Sequence, residues 1–474
     1  HYIVILDKRY PKPPCTGPPP PPRLALISTR ATAQYQQHRK DRLLFPGNRD
    51  YSLSPSPICE PKVPFMVKTT AVTSRLPGRR GAISTLLIAS LAVLLGACQE
   101  PRQEKASTPQ PPAETTATAA GASASHPTQL FWGDLHVHSN LSFDAYSFGN
   151  RTLTPADTLA FARGATLTAS SGQEARLARP LDFLLVSDHA EYMGVMRELH
   201  NDNPQLLQSE IAQRWREMLT QNNLQGVIGE FVGSIEQPEA FASAIPAPFS
   251  RSIWEEVNAA AEEYNAPGEF TALIGYEWTS MIDGRNLHRN VVFRDGPAKT
   301  LQHAPFPSIR GRNPEQLWAA LQDYVDTTDG SVMAIPHNGN LSDGLMFAEA
   351  QGNGEPITAA YARLRARWEP VYEMTQVKGD AESHPLLSPQ DPFADFENWD
   401  ETNIAMEPRS PEDMQRTLAG EYARPVLKTG LKIGRDVGSN PFKFGMIGST
   451  DAHTSLATAD SDNYFGKFPD SEPS

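Results

Sequence analysis

The residues best able to do chemistry stand at the ends of short apolar runs. In "WGDLHVHSNLSFDA", residues 132–145, His136 and His138 lie two apart and Asp144 follows. On a strand, side chains two apart face the same way, so both imidazoles can grip one ion or two adjacent ions. An apolar run closed by a nitrogen or oxygen donor recurs along the chain. Asp188 and His189 end "FLLVSDH", Glu277 ends "LIGYE", His337 ends "VMAIPH", and Asp451 and His453 end "MIGSTDAH". His288 instead opens its run, "HRNVV", so it has to come from a loop or an antiparallel strand. One such histidine is ordinarily a hydrogen-bonded surface or core residue. Six of twelve histidines at these positions, joined by three carboxylates, point to a metal centre. Nine donors suit two or three divalent ions, and mixed imidazole and carboxylate fits Zn, Mn or Fe. The cysteines are Cys15, Cys59 and Cys98, so any metal further along is held by nitrogen and oxygen alone.

Other residues have candidate supporting roles. Glu277 suits a bridging, catalytic position, and Asp188 beside His189 could orient an imidazole or accept a proton. His384, in "KGDAESHP", is a candidate general acid near neutral pH. Arg285, Arg289 and Lys378 are candidate partners for an anionic substrate. Tyr276 and Trp278 flank Glu277 on the opposite strand face, which assigns them to core packing, and Asp134 shares the face of His136.

The elements that must position these groups alternate. Apolar runs such as "LDFLLVSDHAEY", "FTALIGYEWTS", "SVMAIPHNG" and "YEMTQVKGD" read as buried strands. Helices open at Thr154-Pro155, Asn313-Pro314 and Ser410-Pro411, each a capping side chain before a first-turn proline, and another spans residues 252–265. This predicts an α/β fold with a mainly parallel sheet, open or closed, whose chemistry gathers at the carboxyl ends of the strands. Residues 196–250 and 380–425 exceed ordinary connections and read as helical or loop insertions near the site.

The series "DLHVHS", "SDH", "GYE", "HRN", "PHN" and "TDAH" resembles the polymerase and histidinol phosphatase (PHP) superfamily. It is closer still to a PHP-like family catalogued as a domain of unknown function, from about Leu130 to Lys467. Amidohydrolases also open with two histidines two apart, but their pattern ends in one aspartate, whereas here His453 follows Asp451. The resemblance implies a distorted (β/α)7 barrel with insertions and up to three metals. The implied ligands are His136, His138, Asp144, His189, Glu277, His288, His337, Asp451 and His453. It also implies that further sequence would follow Ser474. The expected activity is a metal-dependent hydrolase, a phosphoesterase in which a hydroxide held by two or three ions attacks the ester. The alternatives are a hydrolase or lyase acting on a non-phosphate substrate, and a non-catalytic metal-binding lipoprotein.

A net charge of −13 argues against nucleic acid as a partner and leaves a small anionic molecule as the expected substrate. Residues 1–65, Pro-rich and without periodicity, read as disordered or as upstream sequence translated in error. From Met66, the basic residues Lys68, Arg75, Arg79 and Arg80 precede an apolar stretch over 81–97. "LGAC" at residues 95–98 resembles the bacterial lipobox and implies lipidation of Cys98. Residues 99–128 then form a flexible tether to a metallohydrolase domain over 129–474. The expected location is the bacterial cell envelope, as a periplasm-facing lipoprotein held to the membrane through its lipid alone.

Overall fold

The computed structural model describes residues 130–237, 241, 245–460 and 462–473. The expected signal segment, Cys98 and the tether lie outside them. No helix among the described residues is long and apolar enough to cross a membrane.

The apolar runs form strands, as their composition predicts. They are β1 (Gly133–Val137), β2 (Phe183–Val186), β3 (Thr271–Trp278), β4 (Arg289–Phe293), β5 (Val332–Pro336), β6 (Val371–Gln376) and β7 (Gly445–Gly448). The first five make one sheet in sequence order, while β6 pairs with β7 and with the two-residue strand Gly379–Asp380. Pairing is parallel from β1 through β3, and again between β6 and β7. The strand β4 is antiparallel to both its neighbours. A hairpin over Met281–Ile282 and Arg285–Asn286 lies between β3 and β4, so strand does not alternate with helix there as a strict (β/α)7 pattern requires. Reversing β4 brings its first residues to the end of the sheet where the other strands finish, which is how His288 reaches them.

The two sheets meet through isolated parallel bridges, His337 to Glu373 beyond β5 and Val137 to Ala452 beyond β7. Side chain and backbone both reinforce the second contact: Thr450 Oγ1 donates to Asp134 Oδ2 at 2.6 Å, and the backbone N–H of Asp451 donates to the His136 carbonyl at 2.8 Å.

Strand alternation sorts side chains onto two faces. Leu135, Leu185, Leu273, Val292, Ile335, Val371 and Ile447, one from each strand, pack into a single small cluster on the concave face. Two or four residues along the same face come Glu277 after Leu273, His337 after Ile335, Glu373 after Val371, and Asn290 and His288 before Val292. The donors therefore sit on an aliphatic floor. Gly275 lies between Leu273 and Glu277, where a Cβ would fall 2.1 Å from the Val291 carbonyl oxygen and 2.8 Å from Leu185. Strict alternation breaks in β1, whose pairing with β2 shifts register between Asp134 and Val137. Leu135 joins the floor while Val137, two residues on, joins the outer core. Such irregularities re-aim side chains next to functional sites.

The outer face packs under helices α1 (Pro155–Ala162), α2 (Ala247–Tyr264), α3 (Pro314–Thr328), α4 (Ala359–Trp368) and α5 (Ala423–Val437). The Thr154-Pro155 start holds: Thr154 Oγ1 accepts from Asp157 N, completing a capping box. Helix α2 begins at Ala247, earlier than residue 252, because Pro246 and the buried Phe249 extend its apolar face. The long 196–250 interval contains helices Glu210–Thr220 and Leu224–Glu236.

Candidate metal centre

The carboxylate of Glu277, near the end of β3, is the hub. Its Oε1 lies 2.8 Å from His288 Nδ1 and 2.9 Å from His337 Nε2. Its Oε2 lies 3.1 Å from His189 Nδ1, 3.3 Å from His138 Nε2 and 3.5 Å from His136 Nε2. Asp451 Oδ1 approaches the same two Nε2 atoms of His138 and His136, at 3.2 and 3.3 Å. Asp144, on the short helix Phe143–Ser147, closes the far side, 2.9 Å from His453 Nε2 and 3.3 Å from His189 Nε2. All nine residues expected from sequence thus come together. Asp451 has φ +54°, in the left-handed region that Asp tolerates better than most residues.

Several of these atoms are buried without a hydrogen-bond partner: Nε2 of His136 and of His138, both ring nitrogens of His288, His337 Nδ1, Glu277 Oε2 and Asp451 Oδ1. Buried polar atoms are nearly always paired, so seven orphans in one cluster need a shared partner. Divalent ions fit. Tetrahedral bonds of about 2.0–2.2 Å place neighbouring donors about 3.3–3.6 Å apart, close to the spacing around Glu277 and Asp451. Four donor sets satisfy a common-ion distance: His138/His189/His453, His136/His138/Asp451, Glu277/His288/His337 and His136/His337/Glu373.

The carboxylates and imidazoles shift one another's protonation, and His189, despite its burial, is raised well above the usual imidazole value between Glu277 and Asp144. Burial pushes the carboxyl groups of Glu277, Asp144 and Asp451 up, but facing imidazoles, and for Asp451 two lysines, outweigh it and hold all three well below the usual range. Burial keeps His138, His337 and His453 neutral and brings His288 down to about 4, the protonation state a ligand requires. For His136 burial is outweighed by Asp451 and Glu373, which raise it to about 10.

Supporting groups hold the rings in place, and Glu373, Lys467, Ser142 and Thr279 among them were not legible in the sequence. Glu373 receives His136 Nδ1 on both oxygens, at 3.1 and 3.2 Å, leaving Nε2 to face the hub. Its signal was one acid inside the apolar run "VYEMTQ", with nothing to show which face it takes. Removing a ligand's orienting partner typically costs about 10–100-fold in metal affinity. Glu373→Ala is therefore expected to lose that much in chelator-competition titrations, and Glu373→Gln, which keeps an acceptor, to lose less. Unchanged affinity in Glu373→Ala would count against the role. Lys467, from the C-terminal segment, reaches Asp451 Oδ2 at 3.0 Å and lies 3.1 Å from His453 Nδ1.

Asp188 supports a different histidine from its neighbour. It accepts Ser139 N at 2.7 Å, Ser139 Oγ at 2.6 Å and Ser142 Oγ at 2.7 Å, and Ser142 Oγ in turn meets His138 Nδ1 at 2.7 Å. It is a positioning residue for His138. His189 is held by Thr279 Oγ1 at 2.6 Å.

Two candidates are placed away from the cluster. Arg289 is buried on the helix-covered face with Val291 and Phe293, because alternation along β4 turns it away from Asn290. Its Nε donates to Glu369 Oε1 at 3.0 Å and its guanidinium lies 5.8 Å from the Trp278 ring, so it is a core ion pair and not a substrate contact. Breaking a buried pair costs about 3–5 kcal/mol. Arg289→Met should approach the lower end in urea unfolding, since Arg365 still meets Glu369 at 3.1 Å, while metal content stays unchanged. Loss of metal with intact stability would reverse that assignment. His384 is also occupied elsewhere: Nε2 meets Asp400 Oδ2 at 2.6 Å and Nδ1 accepts from Leu386 N at 3.1 Å. Among the described residues no hydrogen bond or ion pair joins it to the nine clustered donors. Arg285 is half-buried in the hairpin and lies 3.6 Å from Asp343, next to Asn286, whose Nδ2 donates to the His337 carbonyl at 2.8 Å. Lys378 does reach the cluster, through Asp451 Oδ2.

Comparison with known proteins is consistent with a family lacking an assigned role. The model of a family described as "Protein of unknown function (DUF3604)" matches residues 125–474. No curated protein matches the sequence. One solved structure, from Bifidobacterium adolescentis and provisionally assigned as a metal-dependent phosphoesterase, is 12% identical, with 73% of this chain and 94% of that chain covered. Its TM-score is 0.22, too distant a likeness to bear on this chain.

Proposed function

The chain belongs to the DUF3604 family of proteins of unknown function, and from its ligand cluster we propose a metal-dependent hydrolase that cleaves phosphoesters. The observation that carries this reading is Glu277, whose two oxygens lie among five imidazoles while its Oε2 has no hydrogen bond of its own. A carboxylate so placed suits a bridge between ions. Two or three divalent ions, of Zn, Mn or Fe, would supply an activated water and neutralise charge on a phosphoryl group.

The chain's own residues do the rest. Asp144, Glu277, Glu373 and Asp451 set four negative charges against the four to six of two or three dications, so with Lys378 and Lys467 beside Asp451 the centre stays electropositive and favours an anionic substrate. Glu373, and Asp188 acting through Ser142, fix His136 and His138 in the orientation that exposes their Nε2 atoms. The aliphatic floor beneath them keeps water from entering from below.

The finer assignment follows the motifs. We read the seven strands, joined by the bridges at both sheet margins, as a distorted PHP-type barrel with an antiparallel fourth strand. The lipobox-like "LGAC" supports an envelope lipoprotein acting on the periplasmic side.

Metal analysis and a substrate panel test the proposal together. Reconstituted protein should hold two or three transition-metal ions per chain and turn over phosphomonoesters or phosphodiesters, and His136→Ala should not. Fewer than one ion per chain sinks the multinuclear centre. Equal turnover by His136→Ala would assign the activity to a contaminant.

A further inference from the structure

Two ammonium groups converge on one carboxylate oxygen beside the ligand cluster. Asp451 Oδ2 meets Nζ of Lys378, Nζ of Lys467 at 3.0 Å and the Gln376 amide at 2.8 Å. The other oxygen, Oδ1, turns toward the Nε2 atoms of His136 and His138. Lys467 also lies 3.1 Å from the Asp451 carbonyl and 3.1 Å from His453 Nδ1. Nζ of Lys378 has no other hydrogen-bond partner among the described residues.

Both side chains are largely buried, 14% and 18% exposed, where an unbalanced ammonium is costly. The nearby carboxylates Asp144 and Glu277 belong to the ligand set, so divalent ions would take up their charge. One carboxylate oxygen then faces two cations, and a further anion completes the balance. A bound phosphoryl group gives some oxygens to the ions. A monoester has three non-bridging oxygens and can still offer one to an ammonium, whereas a diester has two and is more nearly used up.

We infer that Lys467 and Lys378 form an anion clamp beside the metal centre that selects the dianionic phosphoryl group of a monoester over the monoanionic group of a diester. This rests on the phosphoesterase reading and adds a substrate class to it. Lys467 comes from the C-terminal segment, which is tied to the site where His453 N donates to the Lys467 carbonyl at 2.6 Å and Phe468 packs 4.7 Å from the His453 ring.

The test is calorimetric titration of the metal-loaded full chain at pH 7.5 with inorganic phosphate and with dimethyl phosphate, with bound metal counted in every variant. Wild type should bind phosphate at least about tenfold more tightly than dimethyl phosphate, the scale of one charge-assisted hydrogen bond. Lys467→Met and Lys378→Met should each weaken phosphate about tenfold or more, leave dimethyl phosphate within about twofold and keep their metal. Lys467→Arg should recover most of the affinity. The clamp is overturned if wild type binds both anions alike or neither, or if Lys467→Met binds phosphate as wild type does. It is also overturned if the variants lose metal together with phosphate, since the lysines would then only hold Asp451. Lysine-dependent phosphate binding without hydrolysis of any phosphoester would overturn the phosphoesterase reading and leave the clamp. Monoester hydrolysis by Lys467→Met with unchanged KM would do the reverse.

Discussion

Stripping divalent ions from the protein with a chelator should lower its thermal midpoint by about 10 °C or more, and adding Mn or Zn back should restore it. The cluster gathers three carboxylates and six imidazoles, with seven donor atoms buried and unpaired, a set that is costly to bury without a common partner. An ion bound only to the folded chain, at about 1,000 times its Kd, adds about 4 kcal/mol. For a domain of about 350 residues each kcal/mol moves the midpoint by about 1.4 °C, so one lost ion accounts for about 6 °C and the loss of two gives the expected shift. Differential scanning calorimetry with and without chelator measures it. A midpoint unmoved by chelator and by added metal would mean that the orphaned donors are not ligands, and the hydrolase reading would fall with them.

Glu277→Gln should be the most damaging single change. Its two oxygens serve five histidines, and an amide replaces one of them with a donor that repels a cation and that neutral imidazole nitrogens cannot all accept from. Bound metal should fall by at least one ion per chain, and phosphoester turnover should fall by more than the roughly 10–100-fold typical of losing an orienting partner. The fold should survive, because Glu277 is surrounded by the other ligands and stands above an aliphatic floor it does not build. Elemental analysis and turnover on the same preparation check both parts. Full metal content with normal turnover would remove Glu277 from its bridging place. Loss of turnover with all metal retained would make it a reacting group rather than a holder of ions.

Most of the nine clustered donors were legible in the sequence because they lie where an apolar run ends, and a strand that ends at a sheet's functional edge puts its last side chain there; Asp144, on the helix Phe143–Ser147, and His288 are the exceptions. Strand and helix identities were legible for the same local reason: buried runs and Thr-Pro, Asn-Pro or Ser-Pro starts declare themselves within a few residues. His288 at the head of its run called for a loop or an antiparallel strand, and β4 is antiparallel.

What only the tertiary structure decided is which side chains meet across distant strands. Glu373 and His136 are separated by 237 positions, and neither run shows the other which face it turns. Arg289 looked like a free cation beside His288, yet one step of strand alternation sends it to the opposite face and onto Glu369. Asp188 sits next to His189 in the chain, but the turn after β2 points it at Ser142 and so at His138. Lys467 lies in a segment without periodicity, and only the contact between the C-terminal strap and His453 brings it to Asp451. Donor type and strand period are local properties of the chain and can be read along it. Partnership depends on register, bulges and closure between sheet margins, which long-range packing alone sets.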